Sequence, residues 1–163
     1  MRLPSKLSAS LLSVLLLAAG AAQALSSDRE QPIELAADSV DVDEGRGVSV
    51  YKGNVDLRQG SMRLLADKVT VKNQGDQPNR IIAVGKVRFS QQSEDGPVKA
   101  TARQAEYEVN SEVLELTGKA ALTQNGDTMR SDRIIYNRVK HKVRAGAAAN
   151  GSERVRITIQ APK

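Results

Sequence analysis

Two short elements recur down this chain, and their spacing constrains the fold more than any other feature. The first is a glycine inside a β-rich run: Gly53-Asn54-Val55, Gly85-Lys86-Val87 and Gly118-Lys119-Ala120. The second is an Ala-Asp or related step entering another β-rich run, at Ala37-Asp38, Ala66-Asp67, Ala102-Arg103 and Ser131-Asp132. Corresponding residues lie roughly 30 apart, a period typical of stacked units that each bury an apolar face on the next. Within each unit the apolar residues alternate with a period of two, which makes the unit a β element and not a helical pair.

Alternation and turn signals divide the chain finely. Val40-Asp41-Val42-Asp43 alternates strictly, Glu44 to Gly47 turns, and Val48 to Tyr51 leads to Gly53, which permits a kink or bulge. Similar short runs follow, with a long polar loop at Asn73 to Pro78, a turn at Glu94 to Pro97, a hairpin signal at Asn125-Gly126 and a turn at Gly146 to Gly151. About sixteen short antiparallel strands and no helix of ordinary length are expected. That is an all-β sandwich, barrel or roll with one enclosed apolar face.

The first residues read as a targeting segment. Arg2 and Lys6 precede an apolar run, Leu11 to Ala18, and Ala22-Gln23-Ala24 is a small-X-small cleavage site. Residues 1–24 are thus expected to be a cleaved signal peptide without a lipoprotein cysteine, and 25–163 a single exported domain. The chain has no cysteine, so an exported domain must rely on sheet hydrogen bonds and packing. Of the net charge of +5, Arg2 and Lys6 supply two, and the remaining excess of about +3 is spread among alternating acids and bases. Those charges read as solvated strand faces. Aromatic residues make up only 2%, too few for stacking on bases, and an exported chain meets no nucleic acid.

No catalytic set is present: no Gly-X-Ser-X-Gly, no His-Glu-X-X-His and no P-loop. His141, between Lys140 and Lys142, reads as a solvated turn residue, and the recurring aspartates read as turn caps. No enzyme activity, metal or cofactor is expected. The apolar face is more informative. One parity turns Ile33, Leu35, Val50, Val55, Leu57, Leu64 and Val87 inward, and with them Phe89, Tyr107, Val109, Leu114, Leu116, Leu122 and Tyr136. Such a face suits either a sealed core or a greasy groove for acyl chains, where each buried methylene gains about 0.8 kcal/mol. The pattern alone leaves both open, the second reading being a structural or adhesive exported β-repeat with no lipid ligand.

Several pieces, in order, are similar to the OstA-like family of periplasmic lipopolysaccharide transport proteins. They are Gln31-Pro32-Ile33-X-Leu35-X-X-Asp38, Tyr51-X-Gly53-Asn54-Val55-X-Leu57-X-Gln59-Gly60 and Ala66-Asp67-Lys68-Val69-X-Val71. Leu116-Thr117-Gly118-Lys119-Ala120 and Ser131-Asp132-X-Ile134-X-Tyr136 follow. The resemblance implies a twisted open β-jellyroll in the periplasm that binds the lipid A part of lipopolysaccharide inside the roll. It implies lipid contacts at Ile33, Leu35, Phe89, Tyr107 and Val109, to which the parity adds Val50, Val55, Leu64 and Leu116 as candidate lining. It also implies head-to-tail homo-oligomers bridging an inner-membrane complex, with its bitopic LptC-like protein, to an outer-membrane LptD-like translocon. Ile33, Leu35 and Ala37 on one edge and Val155, Ile157 and Ile159 on the other are the expected assembly edges, since an open strand edge pairs readily with another chain.

Overall fold

The computed structural model describes residues 28–93, 95–146 and 154–161. The expected signal peptide at 1–24 and most of the turn from Gly146 to Gly151 lie outside the described residues. A short 3-10 turn, Asp28–Glu30, precedes ten strands: β1 (Glu34–Ala36), β2 (Ser39–Asp43), β3 (Val48–Gln59), β4 (Met62–Gln74), β5 (Gln77–Ser93), β6 (Gly96–Glu108), β7 (Val113–Gln124), β8 (Asp127–Asn137), β9 (Lys142–Gly146) and β10 (Arg156–Thr158). All belong to one antiparallel sheet in which consecutive long strands are neighbours, while β1 and β2 both pair with β3 and β9 and β10 both pair with β8. No helix among the described residues is long and apolar enough to cross a membrane.

Among the described residues there are ten strands where about sixteen were expected, because the glycines do not end strands. Val48–Tyr51 and Val55–Leu57, read as two elements, are one β3. The polar run Asn73–Pro78 contracts to a turn at Gly75-Asp76, which lets β4 and β5 reach 13 and 17 residues. Each interior glycine is instead a bulge. Pairing breaks at Lys52/Val55 between β3 and β4, at Leu65/Lys68 between β4 and β5, and at Val84/Val87 between β5 and β6. It breaks again at Thr101/Gln104 and at Thr117/Ala120 in the next two pairs. These breaks fall at one level, so a single seam crosses the sheet, and bulges bend and twist the strands they interrupt.

The two recurring sequence elements are the two sides of that seam. Gly53 has a φ of 78° and Gly85 one of 85°. A Cβ there would lie 2.2 Å from Asp38 Oδ2 at Gly53 and 2.4 Å from Asp67 Oδ2 at Gly85. Each aspartate therefore sits in space that only a glycine on the neighbouring strand leaves free. In the third repeat Arg103 takes the aspartate's place against Gly118. Asp67 and Asp132 lie inside β4 and β8 and are not turn caps, whereas Asp38 stands at the bend between β1 and β2.

The seam divides the sheet into two leaves. The first carries Val55–Gln59 of β3 and is flanked by β1 and β10; the second carries Val48–Lys52 and is flanked by β2 and β9. The leaves fold onto each other. Phe89 of the first packs edge-on against Tyr136 of the second with ring centroids 6.4 Å apart. In a flat sheet β5 and β8 would be about 14 Å apart. One continuous cluster from Val55 to Tyr136 fills the space between the leaves.

Candidate functional site

Directly opposed residues on neighbouring strands share a face, so the register defines the interior row by row. In the first leaf one row runs Leu35, Leu57, Leu64, Phe89, Ala100, Leu122, Met129, Ile157, from β1 to β10. In the second leaf a row runs Val42, Ser49, Val71, Ile81, Tyr107, Leu114, Tyr136, Val143. Beside it run Val40, Tyr51, Val69, Ala83, Ala105, Leu116, Ile134 and Ala145. The interior is thus an unbroken apolar path from one edge of the sheet to the other.

Along the middle of this path the hydrophobic residues are at most 7% exposed, so side chains of the protein itself fill it. Its ends differ. At the β2 edge Val40 and Val42 are 50% and 62% exposed, and at the β10 edge Ile157 and Ile159 are 55% and 74% exposed. Val40, Val42 and Ile157 stand in the inward rows, yet nothing covers them among the described residues. The other two flanks are covered: Ile33, Leu35 and Ala37 near β1, and Val143 and Ala145 on β9, pack against the cluster. The apolar path therefore surfaces at two diagonally opposite corners, one on each leaf.

Most of the expected lining lies on this path. Val55, Leu64, Phe89, Tyr107 and Leu116 are buried in the cluster, and Ile33, Leu35 and Val109 pack against it. Val50 does not. It falls in the row of Thr70, Ile82, Glu106, Glu115 and Ile135, on the outer face, and Tyr51 points inward in its place. The reason is which strand slips. Inward parity continues through the glycine bulge, from Tyr51 to Val55, and jumps on the partner strand, from Ala66 to Val69. Of the expected edge residues, Leu35 lies in β1 and Ile157 in β10, while Ile33, Ala37, Val155 and Ile159 flank them; among the described residues β1 pairs only with β3 and β10 only with β8.

The outer face mixes aliphatic side chains such as Val50, Ile82 and Ile135 with paired charges. Asp56 takes Arg63 and Arg58, Arg80 spans Glu106 and Glu108, and Arg133 makes a two-point pair with Glu115 at 2.7 and 2.8 Å. The bonds from Arg63 and Arg58 hold the Asp56 carboxyl well below the usual carboxylate range. Outer hollows are small: one of about 280 Å³ is lined by Val113, Ile135, Asn137, Lys140, Lys142 and Arg144. His141 lies in the exposed β8–β9 turn with Nδ1 3.7 Å from Asp95 Oδ2. Among the described residues no group of three or more acids or histidines is placed to hold a metal.

The sequence did not point to the one charged residue that is fully buried among the described residues. Arg138, in the same turn, is buried, with Nε donating to Gln91 Oε1 at 2.9 Å and Nη1 to the Tyr107 hydroxyl. Tyr107 and Tyr136 both have phenols pushed above the ordinary value, chiefly by burial. A basic run, Arg138-Val139-Lys140-His141-Lys142, carries no signal that its first residue turns in.

A folded-over antiparallel sheet that encloses one apolar face defines a class: open β-jellyroll proteins. The comparisons with known proteins are specific. Residues 34–142 match the family described as LptA/(LptD N-terminal domain) LPS transport protein. The chain is 35% identical over 131 residues to lipopolysaccharide export system protein LptH of Pseudomonas aeruginosa, covering 78% of this chain and 75% of that one. To lipopolysaccharide export system protein LptA of Escherichia coli K12 it is 33% identical over 139 residues, 83% of this chain and 75% of that one. The crystal structure of LptH from Pseudomonas aeruginosa superimposes with a TM-score of 0.78 at 32% identity, covering 83% of this chain and all of that one. This protein therefore belongs to the LptA/LptD N-terminal domain family of lipopolysaccharide transport proteins.

Proposed function

We propose that this protein is a non-enzymatic periplasmic carrier of lipopolysaccharide, which shields the lipid A acyl chains between its two leaves while they cross towards the outer membrane. The observation that carries this reading is the apolar path that emerges at β2 and β10. A tail of about a dozen carbons laid along such a path gains close to 10 kcal/mol at full burial, before ordering costs. The middle of the path is packed, so the leaves part to admit a chain, beginning at the uncovered corners. Ile33, Leu35, Val55, Leu64, Phe89, Tyr107, Val109 and Leu116 then face the lipid, with Tyr51 in the place expected for Val50.

The same edges suit assembly. A free strand edge at the β1/β2 end and another at the β9/β10 end let copies join head to tail, by backbone pairing that continues the sheet. Ile157 of one copy then carries the apolar row onward to Leu35 or Val40 of the next. An LptD-like translocon at the outer membrane and an LptC-like protein of the inner-membrane complex are the partners at the two ends of such a chain. The family match supports the first of these, because it includes the LptD N-terminal domain.

The packed interior is what a sealed scaffold without ligand would show, and one experiment separates the readings. A photo-reactive residue at Leu35 or Met129, both inward, is expected to capture lipopolysaccharide in Gram-negative cells, and one at Glu34, outward, is not. Capture confined to outward positions would leave only the scaffold.

A further inference from the structure

The buried guanidinium of Arg138 joins the free rims of the two leaves. Its side chain is 1% exposed, and a buried cation is destabilising by several kcal/mol unless it is paired and hydrogen-bonded. Arg138, Tyr107 and Glu112 belong to the rim of the second leaf, where Glu112 Oε2 lies 3.7 Å from Nη1. Gln91 and Ser61 belong to the rim of the first. The carboxylate of Asp28, in the turn ahead of β1, sits between the rims. Its Oδ1 accepts from Ser61 N at 2.7 Å, and its Oδ2 accepts from Ser61 Oγ at 2.7 Å, Gln91 Nε2 at 3.2 Å and Arg138 Nη2 at 3.2 Å.

Four donors of different kinds thus converge on one anion: a backbone N–H, a hydroxyl, an amide and a guanidinium. That mixed set, with an arginine at its centre, is one that phosphate oxygens also take. The arm that carries this anion is short, and apart from the bonds to Asp28 itself it is held by Gln59 Nε2, which donates to Arg29 O at 3.3 Å and to Gln31 O at 3.2 Å. Asp28 belongs to a three-residue turn, and the strand that follows, β1, pairs over only three residues. On the same interior row as Tyr107, the Tyr136 hydroxyl is buried with no hydrogen-bond partner among the described residues.

We propose that Ser61, Gln91 and Arg138 form a phosphate site that Asp28 occupies in cis, and that the phosphate of an incoming amphiphile displaces it. This rests on the carrier reading and adds what the entry step recognises. When Asp28 leaves, the arm before β1 is released with it, and Ile33 and Leu35, at the end of the first leaf's apolar row, are freed to repack against the incoming chain. Glu112 keeps Arg138 paired during the exchange. Phosphate binding at the rim and acyl-chain entry are thereby the same movement.

The test compares two probes by calorimetric titration: diphosphorylated lipid A, and the same acylated disaccharide with its phosphates removed. Asp28→Asn removes the competing charge and loosens the arm, and is expected to tighten lipid A binding roughly fivefold to tenfold and binding of the dephosphorylated probe by clearly less. Arg138→Gln is expected to abolish the preference between probes, Arg138→Lys to restore part of it, and Ser61→Ala to reduce it without changing any charge. Melting curves select variants that unfold cooperatively, and Ser61→Ala serves if the Arg138 variants do not fold. Equal affinity of the wild type for both probes, or an equal effect of Asp28→Asn on both, would overturn this proposal and leave the carrier reading standing. Failure of the wild type to bind either probe would overturn both. Inorganic phosphate that displaces lipid A at equimolar concentration would assign the site to the free ion, and so overturn the coupling to lipid entry.

Discussion

The carboxylate of Asp38 lies where a Cβ on Gly53 would be, 2.2 Å from Oδ2 to that position, and Asn54 Nδ2 donates to the same oxygen at 2.9 Å. Strand β3 bulges at this point because Gly53 and Asn54 both take positive φ, 78° and 44°. Asp67 against Gly85 repeats the relationship one period later. The seam that folds the sheet is built from these contacts.

Gly53→Ala is therefore expected to destabilise the fold by roughly 2 to 4 kcal/mol, combining left-handed backbone strain with the clash against Asp38. Gly75→Ala is the control. Gly75 also has positive φ, 63°, but a Cβ there meets open space. Its cost is expected to stop at about 1 kcal/mol. Chemical denaturation of both variants checks the difference.

The parity at the seam has its own consequence. Val50 lies on the outer face and Tyr51 on the inner one, packed against the core. Val50→Thr is expected to change stability by less than about 0.5 kcal/mol. Tyr51→Thr removes an apolar ring from the interior and is expected to cost about 2 kcal/mol. Equal effects in urea titrations would contradict the assignment of faces.

Tyr136 carries a buried hydroxyl without a partner. Tyr136→Phe removes a desolvated polar atom and keeps the ring that packs on Phe89. The variant is expected to be more stable by about 1 kcal/mol, seen as a higher Tm in calorimetry.

Asp56 gives a pH dependence with a definite sign. Hydrogen bonds from Arg63 and Arg58 depress its folded pKa. A depressed carboxyl contributes stability that is present above its unfolded pKa, near 3.9, and is lost as pH falls through the folded value. Both arginines are largely solvated, so the contribution is about 1 kcal/mol. Asp56→Asn is expected to lower stability by that amount at pH 7, and the gap from the wild type to narrow progressively below pH of about 4. Melting curves over this range check it.

Much of the architecture was legible in the chain. Alternation marked Val40–Val42, Val55–Leu57 and Leu114–Leu116 as strand, since a period of two is set by backbone geometry alone. Asn125-Gly126 marked the β7–β8 turn, where both residues have positive φ, 51° and 88°. Eight of the nine expected lining residues lie on the interior path, because the apolar pattern and the folded face are the same property seen twice.

What the chain did not disclose depends on contacts distant in sequence. Whether a glycine ends a strand or bulges it depends on the neighbour's register, so Val48–Leu57 resolved into one strand and Val50 moved to the outer face. Arg138 reads as one more cation in a basic turn, and it is buried only because Asp28, 110 residues away, and Gln91, 47 away, come to meet it. Local sequence determined which residues are apolar, which are extended and where the chain turns. Only the folding of one leaf onto the other decided which of them lie inside, where the apolar path emerges and which charge is enclosed, because burial is a relation between strands and not a property of any one of them.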